Sequence, residues 1–202
     1  MPSVLTRSLQ LYKNSYSGHP KEVWAISVMT LINRMGTMVL LFLTVYLTTV
    51  LHFSLRDAGL LAGAFGIGSL AGSWLGGKLT DRIGANPVII GSLFIGGLFI
   101  IAIQFATAFA SLYALILAMA LFGEAYRPAM TAAIADYVPP AKTGRTMAFI
   151  RLAINLGMTA SPAIGGFVAA GLGYKYLFWI DGLTCIGAAI YFWAVSRNWE
   201  KK

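Results

Sequence analysis

The sequence predicts an all-α, polytopic membrane protein with six transmembrane helices. Three observations predict it. Of the 202 residues, 58% are hydrophobic and only 11% are charged, against about 25% charged in an average soluble domain. The apolar residues fall into six long segments. The Lys and Arg residues gather on alternate connections between those segments, the pattern that sets membrane topology. So few charges cannot cover a soluble protein of this size, which excludes an ordinary cytosolic enzyme. Five Trp, nine Tyr and twelve Phe exclude a disordered chain. The net charge of +8 would point to nucleic acid in a soluble domain. Here it follows the membrane edges instead, so no nucleic-acid partner is expected.

The elements follow in order. Residues 1–21 form a tail with no apolar h-region, so a signal peptide is not expected. Leu5, Leu9, Tyr12 and Tyr16 recur there at helical spacing, with Arg7 and Lys13 between them. A short interfacial helix and a loosely ordered tail fit equally well. A six-helix bundle is expected over 22–196, with apolar segments at 24–51, 58–77, 87–107, 111–135, 146–171 and 175–196. Each reaches the length of about 20 residues that spans a bilayer. Barrel strands would be about 10 residues long and would alternate; these segments do neither. Residues 197–202 leave the membrane as a polar end.

Topology comes from the basic residues. Arg7, Lys13, Lys21, Lys78, Arg82, Lys142, Arg145, Arg197, Lys201 and Lys202 lie on one side. Arg56 and Lys175 lie on the other, and Arg34, Arg127 and Arg151 fall within segments. The bias predicts cytoplasmic termini, which requires an even number of spans and agrees with six.

Small residues mark the expected packing faces. Gly59 and Gly63 are four apart in the second segment, as are Gly68, Gly72 and Gly76. The fifth segment repeats the pattern with Gly157, Ser161, Gly165 and Ala169. Residues four apart share a helix face, and small ones let a second backbone approach. The grooves serve either plain packing or sliding in a protein that changes shape. Pro128 and Pro162 fall inside the fourth and fifth segments, where proline tends to kink a helix. The lone cysteine, Cys185, lies in an apolar run and reads as a small packing residue. It provides neither a disulfide nor a metal site. Aromatic residues such as Phe42, Tyr46 and Tyr126 could line a cavity for amphipathic compounds, although aromatics in membrane helices more often pack or face lipid.

Between the second and third segments stands Gly76-Gly77-Lys78-Leu79-Thr80-Asp81-Arg82-Ile83-Gly84-Ala85-Asn86-Pro87. It reads as a short cytoplasmic turn in which Gly84 permits a positive φ and Pro87 starts the next helix. The pattern Gly77-x-Leu79-x-Asp81-Arg82-x-Gly84-x-x-Pro87 resembles the helix 2–3 loop signature of the major facilitator superfamily. A second stretch, Gly157-x-x-x-Ser161-Pro162-x-x-Gly165-Gly166, resembles the helix 5 signature of proton-coupled antiporters in that superfamily, which include multidrug exporters. The resemblance runs from the first segment to the sixth. It departs at Ala85 and Asn86, where the family loop usually carries basic residues, and at Ser161, where a glycine usually precedes the proline. Of the family's charge relay, Asp81, Arg82 and Asp136 remain. Arg127 only neighbours the position of the family's helix 4 arginine motif.

The resemblance implies two inverted three-helix repeats, forming half of a twelve-helix fold whose site lies between the halves. It implies that Gly77, Asp81, Arg82, Gly84 and Asp136 form a conformational gating loop. Gly157, Pro162, Gly165 and Gly166 would carry the helix 5 motif. It also implies that the first and fourth helices line the cavity. An ionisable group in a bilayer costs about 2.5–3.5 kcal/mol on insertion scales, so each one calls for a role. At 1.5 Å per residue, Arg34 lies about 15 Å past Trp24 and Glu124 about 20 Å past Ser111, both near mid-membrane. A Glu124–Arg34 pair at one depth is expected, with Arg127 on the face of Glu124. Arg151 is expected one and a half turns into the fifth helix, with Asn155 a turn deeper. Asp181 is expected near the outer end of the sixth. This group is either a structural salt-bridge cluster or a substrate and proton pathway of Arg34, Glu124, Arg127, Arg151 and Asn155. In the second reading Glu124 carries the proton and the arginines attract anionic or polar substrate groups.

The sequence therefore reads as the N-terminal six-helix half of a secondary transporter in the cell (inner) membrane. It is expected to export a small or amphipathic molecule, coupled to protons, by alternating access. Its expected partners are that substrate, protons, the lipid bilayer and a second six-helix bundle, either a C-terminal half or a copy of itself. A natural half, a truncated product and one part of a split transporter all stay open, since 197–202 would begin a central loop. The alternative is a self-contained six-helix binding module or homodimeric half-transporter. A membrane enzyme has no support: no catalytic pair, metal cluster or nucleotide loop is present, His19 and His52 lie outside the segments, and no cofactor is expected.

Overall fold

Six helices in the computed structural model are long and apolar enough to cross a membrane: α1 Lys21–Val50, α2 Leu55–Ile83, α3 Ala85–Ile103, α4 Phe109–Tyr137, α5 Pro140–Gly171 and α6 Lys175–Ser196. The structure describes residues 18–199. The tail pattern from Leu5 to Tyr16 and the last residues, 200–202, lie outside the described residues. No strand occurs among the described residues.

The six segments reappear in order, but several edges differ. The start of α2 is capped: the Ser54 hydroxyl accepts from the Asp57 N–H at 3.1 Å and donates to the Asp57 carboxylate at 2.7 Å. Its far end stays helical through the polar run to Ile83. The stretch read as a loop is thus the last turns of a helix, and the connection to α3 is Gly84 alone. Gly84 sits at φ +89°, a conformation glycine adopts without a Cβ penalty, and Pro87 lies in the first turn of α3 as expected. α5 begins earlier than the apolar run, at the proline pair Pro139-Pro140, where missing N–H groups cost no helical bonds. It runs through Pro162 without a break.

Two helices are interrupted. In α1 the α-helical run Lys21–Met35 stops and resumes over Val39–Val45, then widens into a π turn over Tyr46–Val50. In α4 the run Phe109–Gly123 stops and resumes at Tyr126–Tyr137. Pro128 explains the second interruption. It has no N–H for the Glu124 carbonyl, and its ring would press on that carbonyl. The helix therefore ends before Pro128 and restarts with the proline in its first turn, so a break replaces the expected kink.

The apolar core is divided into two storeys. Val23, Ile26, Val88, Ile89, Ile134 and Phe192 belong to the storey nearer the described ends of the chain. Leu47, Leu61, Ile103, Leu112, Ile116 and Phe178 belong to the far one. Trp74, Leu70 and Phe167 point outward, as suits side chains bathed in lipid.

Glycine seams lock the helices together. A Cβ on Gly68 would meet the Leu117 carbonyl at 2.5 Å, one on Gly76 would meet the Ala125 carbonyl at 2.5 Å, and one on Gly72 would strike the Leu121 carbonyl. These three seat α2 on α4. Gly157 lies against Arg34 and Met35, and Gly165 against Met38 and Phe42, seating α5 on α1. Ser161, between them, is fully buried. Gly59 and Gly63 have open space instead. The buried ladders are close-packed faces, with backbone approaching too near for a methyl group.

Candidate functional site

The site is built where the two interrupted helices meet the polar residues between the storeys. A cavity of about 90 Å³ lies there, lined by Asn33, Arg34, Ser92, Glu124, Asp181 and Cys185 among others. It has room for a few water molecules. Beside it a groove of about 460 Å³ runs between α1, α4 and α5, lined by Arg34, Arg127, Met130, Met158, Ser161 and Pro162 among others. Arg34, Thr37, Leu40, Tyr126 and Arg127 border both spaces.

Each charged group has its own setting. Glu124 caps the first part of α4 and pairs with Arg127, whose Nε lies 2.5 Å from its Oε2. The pair is asymmetric: the Glu124 side chain is 13% exposed and that of Arg127 54%. Arg34 donates from Nη2 to the Tyr126 hydroxyl, and its guanidinium carbon lies 5.5 Å from the Tyr126 ring centre. Arg34 Nε is buried without a hydrogen-bond partner among the described residues. Asp181 is 4% exposed. Its Oδ2 accepts from the N–H groups of Met38 at 3.1 Å and Val39 at 2.9 Å, where α1 restarts. Asn33 donates to Cys185 Sγ at 3.2 Å, and that sulfur lies 3.9 Å from Asp181 Oδ1.

Several expectations change. Arg34 and Glu124 border one cavity, but they are not an ion pair: Glu124 takes Arg127, and Arg34 takes Tyr126. The reason is local, since residues three apart on one chain meet more readily than groups on separate helices. Arg151 and Asn155 are exposed on α5. Arg151 lies three turns in from Pro140, because α5 starts earlier than its apolar run. Asp181, in the second turn of α6, is buried beside the break in α1, reached because α6 packs against that helix. Asp81, Arg82 and Asp136 are exposed and form no ion pair with one another among the described residues. The nearby tie is neutral: Asn86 Nδ2 donates to the Tyr137 hydroxyl at 3.1 Å, joining the start of α3 to the end of α4. Gly77 and Gly166 have open space around them. Tyr46 packs on Phe178 in the far storey at 4.9 Å between ring centres, whereas Tyr126 borders both the cavity and the groove. Sequence reasoning missed Asn33 and the Tyr126 hydroxyl as partners. A polar residue one position before Arg34 was the available signal.

Six membrane-length helices that gather charged groups at a cavity between two apolar storeys are the architecture of a multi-pass membrane protein. Residues 26–201 match the Major Facilitator Superfamily, and the chain belongs to that family, whose members are transporters and not enzymes. It is 27% identical over 177 residues to the multidrug resistance protein MdtG of Proteus mirabilis (strain HI4320), covering 82% of this chain and 44% of that one. It is 28% identical to the inner membrane transport protein YajR of Escherichia coli (strain K12), covering 90% and 40%. Its fold superposes on a crystal structure of the peptide transporter POT in complex with sulfate with a TM-score of 0.74 at 18% identity, covering 90% of this chain and 39% of that one. The chain thus spans less than half the length of these relatives.

Proposed function

We propose that the chain is the N-terminal half of a secondary active transporter that exports a small or amphipathic molecule in exchange for protons. The observation that carries this reading is the Glu124–Arg127 pair: both residues border the small cavity, and Arg127 also borders the open groove. A carboxylate in that position can exchange a proton, and the exposed arginine can release it or greet a polar substrate group. In this reading Arg151 and Asn155, exposed on α5 but outside the lining of both spaces, meet the substrate beyond the groove. The names of multidrug relatives support an amphipathic substrate. Vesicles holding the complete transporter should move an amphipathic dye when a pH difference is imposed, and an uncoupler should stop them. Dye movement indifferent to the pH difference would defeat proton coupling.

Alternating access then needs a second bundle opposite the groove. The groove leaves Arg127 more than half exposed, which is costly against lipid. Light scattering of the chain in mild detergent should show association, with itself or with a co-expressed C-terminal half. A stable monomer indifferent to a partner half would count against it.

The basic bias supports cytoplasmic termini and an inner-membrane location. Single cysteines at the exposed positions Ser54 and Lys175 should react with an impermeant reagent added outside, and ones at Asp81 and Lys142 should stay silent. The reverse pattern would invert the orientation.

A further inference from the structure

Asp181 has no part in the Glu124 scheme, yet it is the more deeply buried carboxylate and touches a break in a helix. Two backbone N–H groups at the restart of α1 converge on its Oδ2. No Lys or Arg nitrogen forms an ion pair with it among the described residues, and Arg34, the nearest cation, gives its hydrogen bond to Tyr126. The amides of Met38 and Val39 are thus its principal counter-dipoles. It also borders the cavity that Glu124 borders.

The groups facing Asp181 are few. α1 supplies Arg34. α6 itself supplies the Cys185 thiol. α4 supplies Glu124 and Arg127 across the cavity. α3 has no charged residue along its length, and α5 has Lys142, Arg145 and Arg151 in its first half and none from Leu152 to Gly171.

We propose that Asp181 is a proton-operated latch on α1: as a carboxylate it holds the far part of that helix through the Met38 and Val39 amides, and on taking a proton it lets that part swing. This rests on the reading of the chain as a proton-coupled transporter. The proton is handed over by the Glu124 carboxylic acid through water in the cavity. One O–H bond breaks at Glu124, one forms at Asp181, and the charge moves from Asp181 to Glu124 with no change of oxidation state. A neutral carboxyl is the weaker acceptor, since hydrogen bonds to an ionised group are roughly twice as strong. The outcome is that a proton arriving at α4 loosens α1, a different helix. Asp181 is here a positioning residue, acting on the substrate groove through the backbone of α1.

The test is amide hydrogen exchange of residues 36–43 in the full chain in lipid nanodiscs, titrated from about pH 5 to about pH 9 and corrected for the intrinsic chemical rate. The native chain should show a step of roughly tenfold or more in exchange, faster on the acid side. Asp181→Asn keeps the shape and an acceptor oxygen but cannot titrate, so its exchange should be fast and without a step. Residues 85–103 in α3 serve as the control for folding. If Asp181→Asn loses protection there, Asp181→Glu replaces it: a retained step supports the latch, and loss of the step in a folded variant overturns it. A native chain without a step, or a folded Asp181→Asn that keeps one, also overturns it. No substrate or second bundle is needed, so failure here is distinct from failure of the transport assay.

Discussion

Glu124→Gln should abolish proton-driven transport in the complete transporter while leaving substrate counterflow largely intact. The amide keeps the size of the side chain and can still meet Arg127, but it cannot gain or lose a proton. Coupling needs a group that is reached from each side in turn and that titrates; counterflow needs only the alternation of the bundle. Proton-driven flux should therefore fall to the background of empty vesicles, with exchange of labelled for unlabelled substrate retained. Loss of both, together with loss of folded protein, would make the Glu124–Arg127 pair a structural bridge. Retained proton-driven flux would remove Glu124 from the mechanism and move attention to Asp181 or to the opposite bundle.

Gly72→Leu should prevent the bundle from folding. Overpacking in a core costs about 1–3 kcal/mol when side chains can yield. Here a Cβ would strike the Leu121 carbonyl of α4, which is backbone and cannot turn aside, so the whole seam from Gly68 to Gly76 must open. Against a total stability of about 5–15 kcal/mol, losing an entire helix contact is decisive. Size-exclusion chromatography after gentle heating should recover little monodisperse protein. Gly59→Leu, placed where a Cβ meets nothing, should leave recovery unchanged. Equal recovery for the two variants would mean that the α2–α4 seam does not hold the fold.

The spans were legible because burial in lipid demands an unbroken apolar run and leaves its length in the sequence. α6, read as 175–196, ends where it was read. The polar ends of α2 and α5 were not, because a helix continues into water wherever its caps lie, and the caps here are Gly84 and Pro139. The Glu124–Arg127 pair was legible from a spacing of three. The capping of α1 by Asp181 was not, since those residues are more than a hundred positions apart and only the packing of α6 on α1 joins them. Position along α6 alone could not tell what Asp181 meets; its surroundings are set by the neighbouring helix. The break at Glu124 was half legible: Pro128 announced a disturbance but not that the helix would restart ahead of it.

The division of the core bears on leakage. A hydrated cavity at mid-bilayer would shorten the insulating path for ions if it opened to both surfaces. Here the small cavity lies between separate apolar clusters, one built around Phe192 and Ile134 and the other around Phe178 and Leu112. Either cluster alone is a dielectric barrier, because an ion entering it must shed its hydration without compensation. A polar substitution that wets one cluster thus leaves the membrane tight, and current should pass only when both are wetted at once. Two apolar clusters in series thus let charged groups sit at the centre of the bundle with a barrier to ions on either side of them.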